Sequence, residues 1–277
     1  MAAILALISS ISWGVADYMG GIASRRAGAM QVLVIAYPSG AVIITLAAFL
    51  VVPGEISPAA IAWGVVVGLI GAIAVALLYI ALSRGPMGIV SPITAVMSGS
   101  VPLAVGVVSG ERLSGLAIIG VVLAVFAVVL VTREKSDQRK VQLSTVVISI
   151  ASGTAIGLYL SALGSAPDDS GIWAATVGRW TSSIFVAIAV FVVLRNFTRT
   201  NFPWQLAIIS GFLDAGANAV FQLASQRGLL AIVAVLGSLY PATTVLLARF
   251  LLHERLIRIQ LIGVYLAFAA VAALALS

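Results

Sequence analysis

The chain has 277 residues, 62% hydrophobic and only 9% charged, with a formal net charge of +6 and a mean hydropathy of +1.19. A soluble domain carries about 25% charge, so this chain cannot cover a water-facing surface and reads as an integral membrane protein. Its Lys and Arg stand singly in short loops between apolar spans, which excludes a nucleic-acid-binding patch, and the lack of cysteine excludes disulfide and thiol chemistry.

The apolar runs approach the roughly 20 residues that span a hydrocarbon core as helix. A barrel would show short alternating strands instead. Ten helices are expected, near 2–22, 29–52, 58–82, 87–109, 114–132, 143–164, 171–194, 204–226, 229–250 and 256–276. The opening stretch MAAILALISSISWG has no basic region before its apolar run, so it reads as the first retained helix. Separators are turn-like or charged, such as Ser24-Arg25-Arg26, Pro53-Gly54-Glu55 and Arg84-Gly85-Pro86.

Helix 1 carries Asp17 with Ser10 and Trp13 behind it on the same face. An ionisable group in a span is a functional hypothesis by default. Asp17 reads either as a carboxylate that binds a proton or a cationic group beside an aromatic platform, or as a residue near the helix end that only meets the interface or pairs with Arg25 or Arg26. Helix 3 carries Tyr79 in its last turn. Helix 4 carries Pro92 and Pro102 among Ser91, Thr94, Ser98, Gly99 and Ser100. Proline removes a donor and frees a carbonyl, so this reads as a bent helix lining a cavity, or as close packing on small residues. Arg133 to Lys140 is a polar stretch at the centre of the chain.

In the second half, helix 6 carries Tyr159. Arg179 lies two turns into helix 7; it would hold a substrate carboxylate, snorkel to the interface, or pair with Asp168, Asp169 or Asp214. In helix 8, Asp214, Asn218 and Gln222 follow at four-residue spacing along one face, which cannot point at lipid. They read as a wall of a substrate path or as polar glue between helices. Helix 9 carries Ser238, Tyr240, Pro241, Thr243 and Thr244, and the sole histidine, His253, falls in the next loop. Enzyme readings lack parts. There is no HExxH, CxxC or P-loop, and an intramembrane serine hydrolase would need a base near its nucleophile, for which His253 is the only histidine on offer. Asp168-Asp169 reads as a helix-dipole cap rather than a metal site. No cofactor and no metal are expected.

The two halves repeat at an offset of 143 positions without a gap. Arg84-Gly85 falls on Arg227-Gly228, Glu111-Arg112-Leu113 on Glu254-Arg255-Leu256, Ser9 on Ser152, Gly14 on Gly157 and Gly68 on Gly211. Charge is scarce here, so the charged matches carry the inference. The expected layout is residues 1–134, a linker 135–142, and residues 143–277. Five helices per repeat is an odd number, so the halves are inverted, and the site is expected at their interface near mid-membrane. The odd-numbered loops hold 12 Lys and Arg and the even-numbered loops 2, which predicts both termini outside the cytoplasm.

These features resemble the EamA-type drug/metabolite transporter (DMT) superfamily. The carriers are the Arg84-Gly85 and Arg227-Gly228 turns, the two Glu-Arg-Leu motifs, and Trp13-Gly14. The resemblance covers the whole chain. It implies a central cavity lined mainly by helices 1, 3, 4, 6, 8 and 9, with helices 5 and 10 peripheral. Its members mostly export small metabolites such as amino acids, or move sugars and nucleotide sugars. It transfers no substrate-binding residue by motif. Many members are drawn with both termini in the cytoplasm, against the charge bias here.

The expectation is an all-α membrane protein of two inverted five-helix repeats. It would be a secondary transporter exporting a small, amino-acid-like or related metabolite by alternating access. Expected substrate-binding residues are Trp13, Asp17, Tyr79, Ser98, Tyr159, Asp214, Asn218, Gln222 and Tyr240, with Asp214 and Asp17 the coupling-ion candidates. Its partners would be a small-molecule substrate and the lipid bilayer of a prokaryotic inner membrane, as monomer or homodimer. The rival readings are an intramembrane enzyme acting on a lipid-linked substrate and a non-transporting scaffold or sensor.

Overall fold

The computed structural model describes residues 1–85, 87–131, 142–193, 201–251 and 258–276. Among them the helices are α1 (Ala2–Ala27), α2 (Ala29–Leu50), α3 (Pro58–Arg84), α4 (Met87–Val108), α5 (Gly115–Val131), α6 (Leu143–Gly164), α7 (Trp173–Val193), α8 (Trp204–Ser225), α9 (Leu230–Gly237), α10 (Tyr240–Leu251) and α11 (Arg258–Ala275). A short 3-10 turn, Asp168–Ser170, precedes α7, so Asp168 and Asp169 stand ahead of that helix rather than in its first turn. No strand occurs among the described residues. Six helices, α1, α2, α3, α6, α7 and α8, are long and apolar enough to cross a bilayer. The chain is therefore a multi-pass integral membrane protein. His253, Glu254 and Arg255 lie outside the described residues.

Two elements differ from expectation in ways that matter to the site. First, α1 runs about a turn further, with Arg25 and Arg26 in its last turn, where cations meet the negative end of the helix dipole. Gly28, at φ 81°, then stops it. Asp17 is consequently well inside its helix, not at the end. Second, the helix expected near 229–250 comes in two pieces. Pro241 has no N–H to give the Gly237 carbonyl four residues back. The chain closes α9 tightly instead, with Leu239 N donating to Leu236 O at 3.3 Å, and restarts at Tyr240. α4 is assigned as one helix from Met87 to Val108 although it contains two prolines.

Large apolar side chains such as Phe49, Phe191 and Phe268 are exposed on the outside of the bundle, as lipid permits. Inside, helices pack closely on small residues. α1 lies along α8 and α3 along α6; α3 packs on α7 and α2 on α8; α4 packs on α6, and α1 on α9 and α10. α5 pairs with α11. Exchanging helices 143 positions apart turns each of these pairings into another of them, except α5 with α11, which turns into itself. The exchange holds at single bonds. Ser9 Oγ donates to Ala217 O at 2.8 Å, and Ser152 Oγ to Ala74 O at 3.0 Å. Adding 143 to one partner and subtracting it from the other interconverts the two. Gly14 lies against the Tyr240 carbonyl and Gly157 against the Met97 carbonyl, which are related in the same way.

The Glu-Arg-Leu motif has a structural task. Glu111, in the loop after α4, reaches the start of α9 in the other half. Its Oε1 accepts from Leu230 N at 2.8 Å and its Oε2 from Ala231 N at 3.0 Å. The first N–H groups of a helix lack internal partners and sit at its positive end, so a carboxylate there satisfies both needs. Glu111→Ala is expected to cost about 2 kcal/mol, from two charge-assisted bonds lost. Arg112→Ala, in the same loop, is the control. Denaturant unfolding of the purified protein in detergent reads both; equal midpoints for the two variants would show that the clasp is idle.

Candidate functional site

Two short patterns place the polar side chains. Trp13 and Asp17 are four apart on α1, and Asp214 and Asn218 are four apart on α8, so each pair shares a helix face. The two helices are sewn together by the Ser9 bond to Ala217 and by Ser210 Oγ donating to Ala16 O at 3.0 Å. That brings both faces to one cavity of about 50 Å³, room for a few waters. Trp13 Nε1 donates to Asn218 Oδ1 across it at 3.1 Å.

α7 and α2 complete the polar side. Arg179 reaches Asp214 at 2.6 Å, with the two side chains only 7% and 16% exposed. The Arg179 guanidinium also lies 4.7 Å from the centre of the Tyr37 ring, a cation–π contact. Tyr37 in turn donates its hydroxyl to Gly71 O at 3.2 Å. Of the three partners open to Arg179 from sequence, the structure selects Asp214. Asp17 has no hydrogen bond or ion pair with another described residue.

The remaining wall comes from Gly71, Ala74, Val75 and Leu78 on α3 and Ile156, Tyr159 and Leu160 on α6, with Tyr240 from the start of α10. The cavity thus uses helices α2 and α7, which the resemblance did not imply, and none of its lining residues comes from α4.

Six expected residues line this cavity: Trp13, Asp17, Tyr159, Asp214, Asn218 and Tyr240. Three lie elsewhere. Gln222 is fully buried and braces the start of α7, accepting from Ala175 N at 2.9 Å and donating to Ser170 Oγ at 3.0 Å. Ala175 is in the first turn of α7, so its N–H has no partner inside that helix. Tyr79 shares a 3.1 Å hydrogen bond with Ser210 and fastens α3 to α8. Ser98 is buried and donates back to Ala95 O on its own helix at 3.1 Å.

Tyr37, Gly71, Val75, Ile156 and Leu160 were not anticipated. The repeat offset pointed to four of them. Trp13 falls on Ile156, Asp17 on Leu160, Gly71 on Asp214 and Val75 on Asn218 at 143 positions, and all eight line the cavity. Positions 143 apart in the sequence therefore meet around one space. The polar member of each pair is on α1 or α8.

Residues 1–133 match the model of the EamA-like transporter family. No curated protein matches the chain. A solved structure described as "Crystal structure of protein" superposes with a TM-score of 0.74, covering 99% of this chain and 96% of its own at 14% identity. At that identity the likeness is one of fold alone. The matched stretch holds α1 to α4, α5, Trp13, Asp17, Tyr37 and the α3 wall of the cavity. The first 133 residues are thus similar to the EamA-like transporter family.

Proposed function

We propose that the protein is a secondary transporter that exports a small metabolite by alternating access of two inverted repeats, residues 1–134 and 143–277. One observation carries the reading: the cavity is built from equivalent positions of both halves, as Trp13 with Ile156 and Asp17 with Leu160 illustrate. A space on the exchange axis of two inverted repeats is where alternating access needs its site. The reciprocal bonds of Ser9 and Ser152 support the same relation. Trp13, Asp17, Tyr159, Asp214, Asn218 and Tyr240 are the proposed substrate contacts, and Asp17 and Asp214 the carboxylates through which ion coupling would act.

Two experiments test this. A thermal-shift screen of the purified protein against a metabolite panel selects a ligand, since binding to the native state raises apparent stability. That ligand, radiolabelled, should then show counterflow in liposomes holding the wild-type protein. A ligand that binds and is never moved would defeat the transport reading. The 12-to-2 split of Lys and Arg further proposes both termini outside the cytoplasm of a prokaryotic cell. A C-terminal alkaline phosphatase fusion should be active and a green fluorescent protein fusion dark. The reverse pattern would place the termini inside.

A further inference from the structure

We infer that the ligand of this cavity is an amphipathic organic monocation, an ammonium group on a short apolar body, and that Asp17 holds its charge. The inference rests on the transport reading and narrows its small metabolite to one chemical class. Three acidic or basic side chains face the cavity: Asp17, Arg179 and Asp214. Arg179 and Asp214 are joined at 2.6 Å and cancel, and the Tyr37 ring covers the guanidinium. Asp17 is left over, and in its ionised form it gives the cavity one uncompensated negative charge. A carboxylate withdrawn from water without a partner is costly. A ligand that brings the missing positive charge recovers that cost in the bound state only.

The same geometry disfavours an anion. A ligand carboxylate would be drawn to Arg179, but Asp214 already occupies that guanidinium and repels a second carboxylate, as does Asp17. An amino acid would therefore bind less well than the amine made by removing its carboxyl group. The apolar half of the ligand follows from the lining contributed by α3 and α6. Val75, Leu78, Ile156 and Leu160 carry no polar atom on their side chains. The repeat relation shows how the contrast arises, since Leu160 is the counterpart of Asp17. Trp13, four residues before Asp17 on the same helix face, offers an aromatic surface to the ammonium.

The test uses the full chain in detergent and three probes sharing one isobutyl body: isobutylamine, valine and 3-methylbutanoate. Binding is read by titration calorimetry near neutral pH. Isobutylamine is expected to bind at least tenfold more tightly than valine, and 3-methylbutanoate not at all. Asp17→Asn should erase the preference for the amine, and Asp17→Glu should keep it. Equal or tighter binding of valine or the acid, no binding of any probe, or an undiminished amine preference in Asp17→Asn each overturns the inference. If Asp17→Asn fails to fold, the wild-type order of the three probes decides. The readout is binding alone, so it is separate from the transport reading, which fails only when a bound ligand is not moved across a vesicle.

Discussion

Arg179→Leu is expected to destabilise the protein by about 3–5 kcal/mol, because it strands Asp214 inside the bundle without its counter-charge. The pair is short and both members are largely buried, so little water is available to either charge. The loss exceeds the pair's own net worth. Two charges withdrawn from water cost about what their attraction returns, whereas one alone has the cost without the return. Arg179→Leu/Asp214→Leu should therefore recover most of the stability lost by Arg179→Leu. Arg179→Lys should recover only part, since an ammonium lacks the flat guanidinium face that lies on Tyr37. Denaturant midpoints in detergent give the cycle. An Arg179→Leu loss below about 1 kcal/mol, within the range of exposed ion pairs, would mean that water reaches the pair freely.

How much of this was readable beforehand depends on the physics each residue obeys. Spacing predicted Asp214 and Asn218 correctly as neighbours on a face, because four residues of helix turn by only about 40° beyond a full turn. Extending the same face to Gln222 accumulated about 80° of rotation and about 12 Å of rise, enough to move it from the cavity to the start of α7. Tyr79 and Ser98 look like site residues in sequence because hydroxyls are uncommon in apolar helices. Tyr79 bonds to Ser210, a partner that only packing reveals, whereas Ser98 turns back to Ala95 O on its own helix, a bond open to any helical serine. Tyr37 gave no signal, since its repeat counterpart Trp180 faces elsewhere and donates to Thr45 Oγ1. The break after Gly237 was implicit in Pro241 but not its sharpness. The repeat offset was the most informative signal in the sequence. It contained the apolar half of the cavity as well as the polar half, once the counterparts of Asp17 and Asp214 are read as lining positions in their own right.

The offset also identifies where the helices cannot tolerate added bulk. Gly211 on α8 and Gly68 on α3 are repeat counterparts, and each lies against the backbone of a helix from the other half. A methyl group at Gly211 would overlap the carbonyl of Ala36 on α2; one at Gly68 would overlap the carbonyl of Gly178 on α7. The obstacle is backbone in both cases, so no side-chain rotation relieves it and the helices must separate. Ordinary overpacking costs about 1–3 kcal/mol. Gly211→Ala and Gly68→Ala are expected at or above the top of that range, and the leucine variants are expected not to yield a folded, monodisperse protein. Separation of α2 from α8 also shifts Tyr37 relative to Asp214, so any Gly211→Ala protein that folds should bind ligand more weakly. Gly216 supplies the control on the same helix. It is exposed and a methyl there meets nothing within 4 Å, so Gly216→Leu should be neutral or gain up to about 0.8 kcal/mol from helix propensity. Unfolding midpoints and size-exclusion profiles in one detergent compare the set. If Gly211→Ala and Gly216→Leu unfold at the same denaturant concentration, α2 and α8 are not in backbone contact, and the polar wall that depends on their approach is placed wrongly.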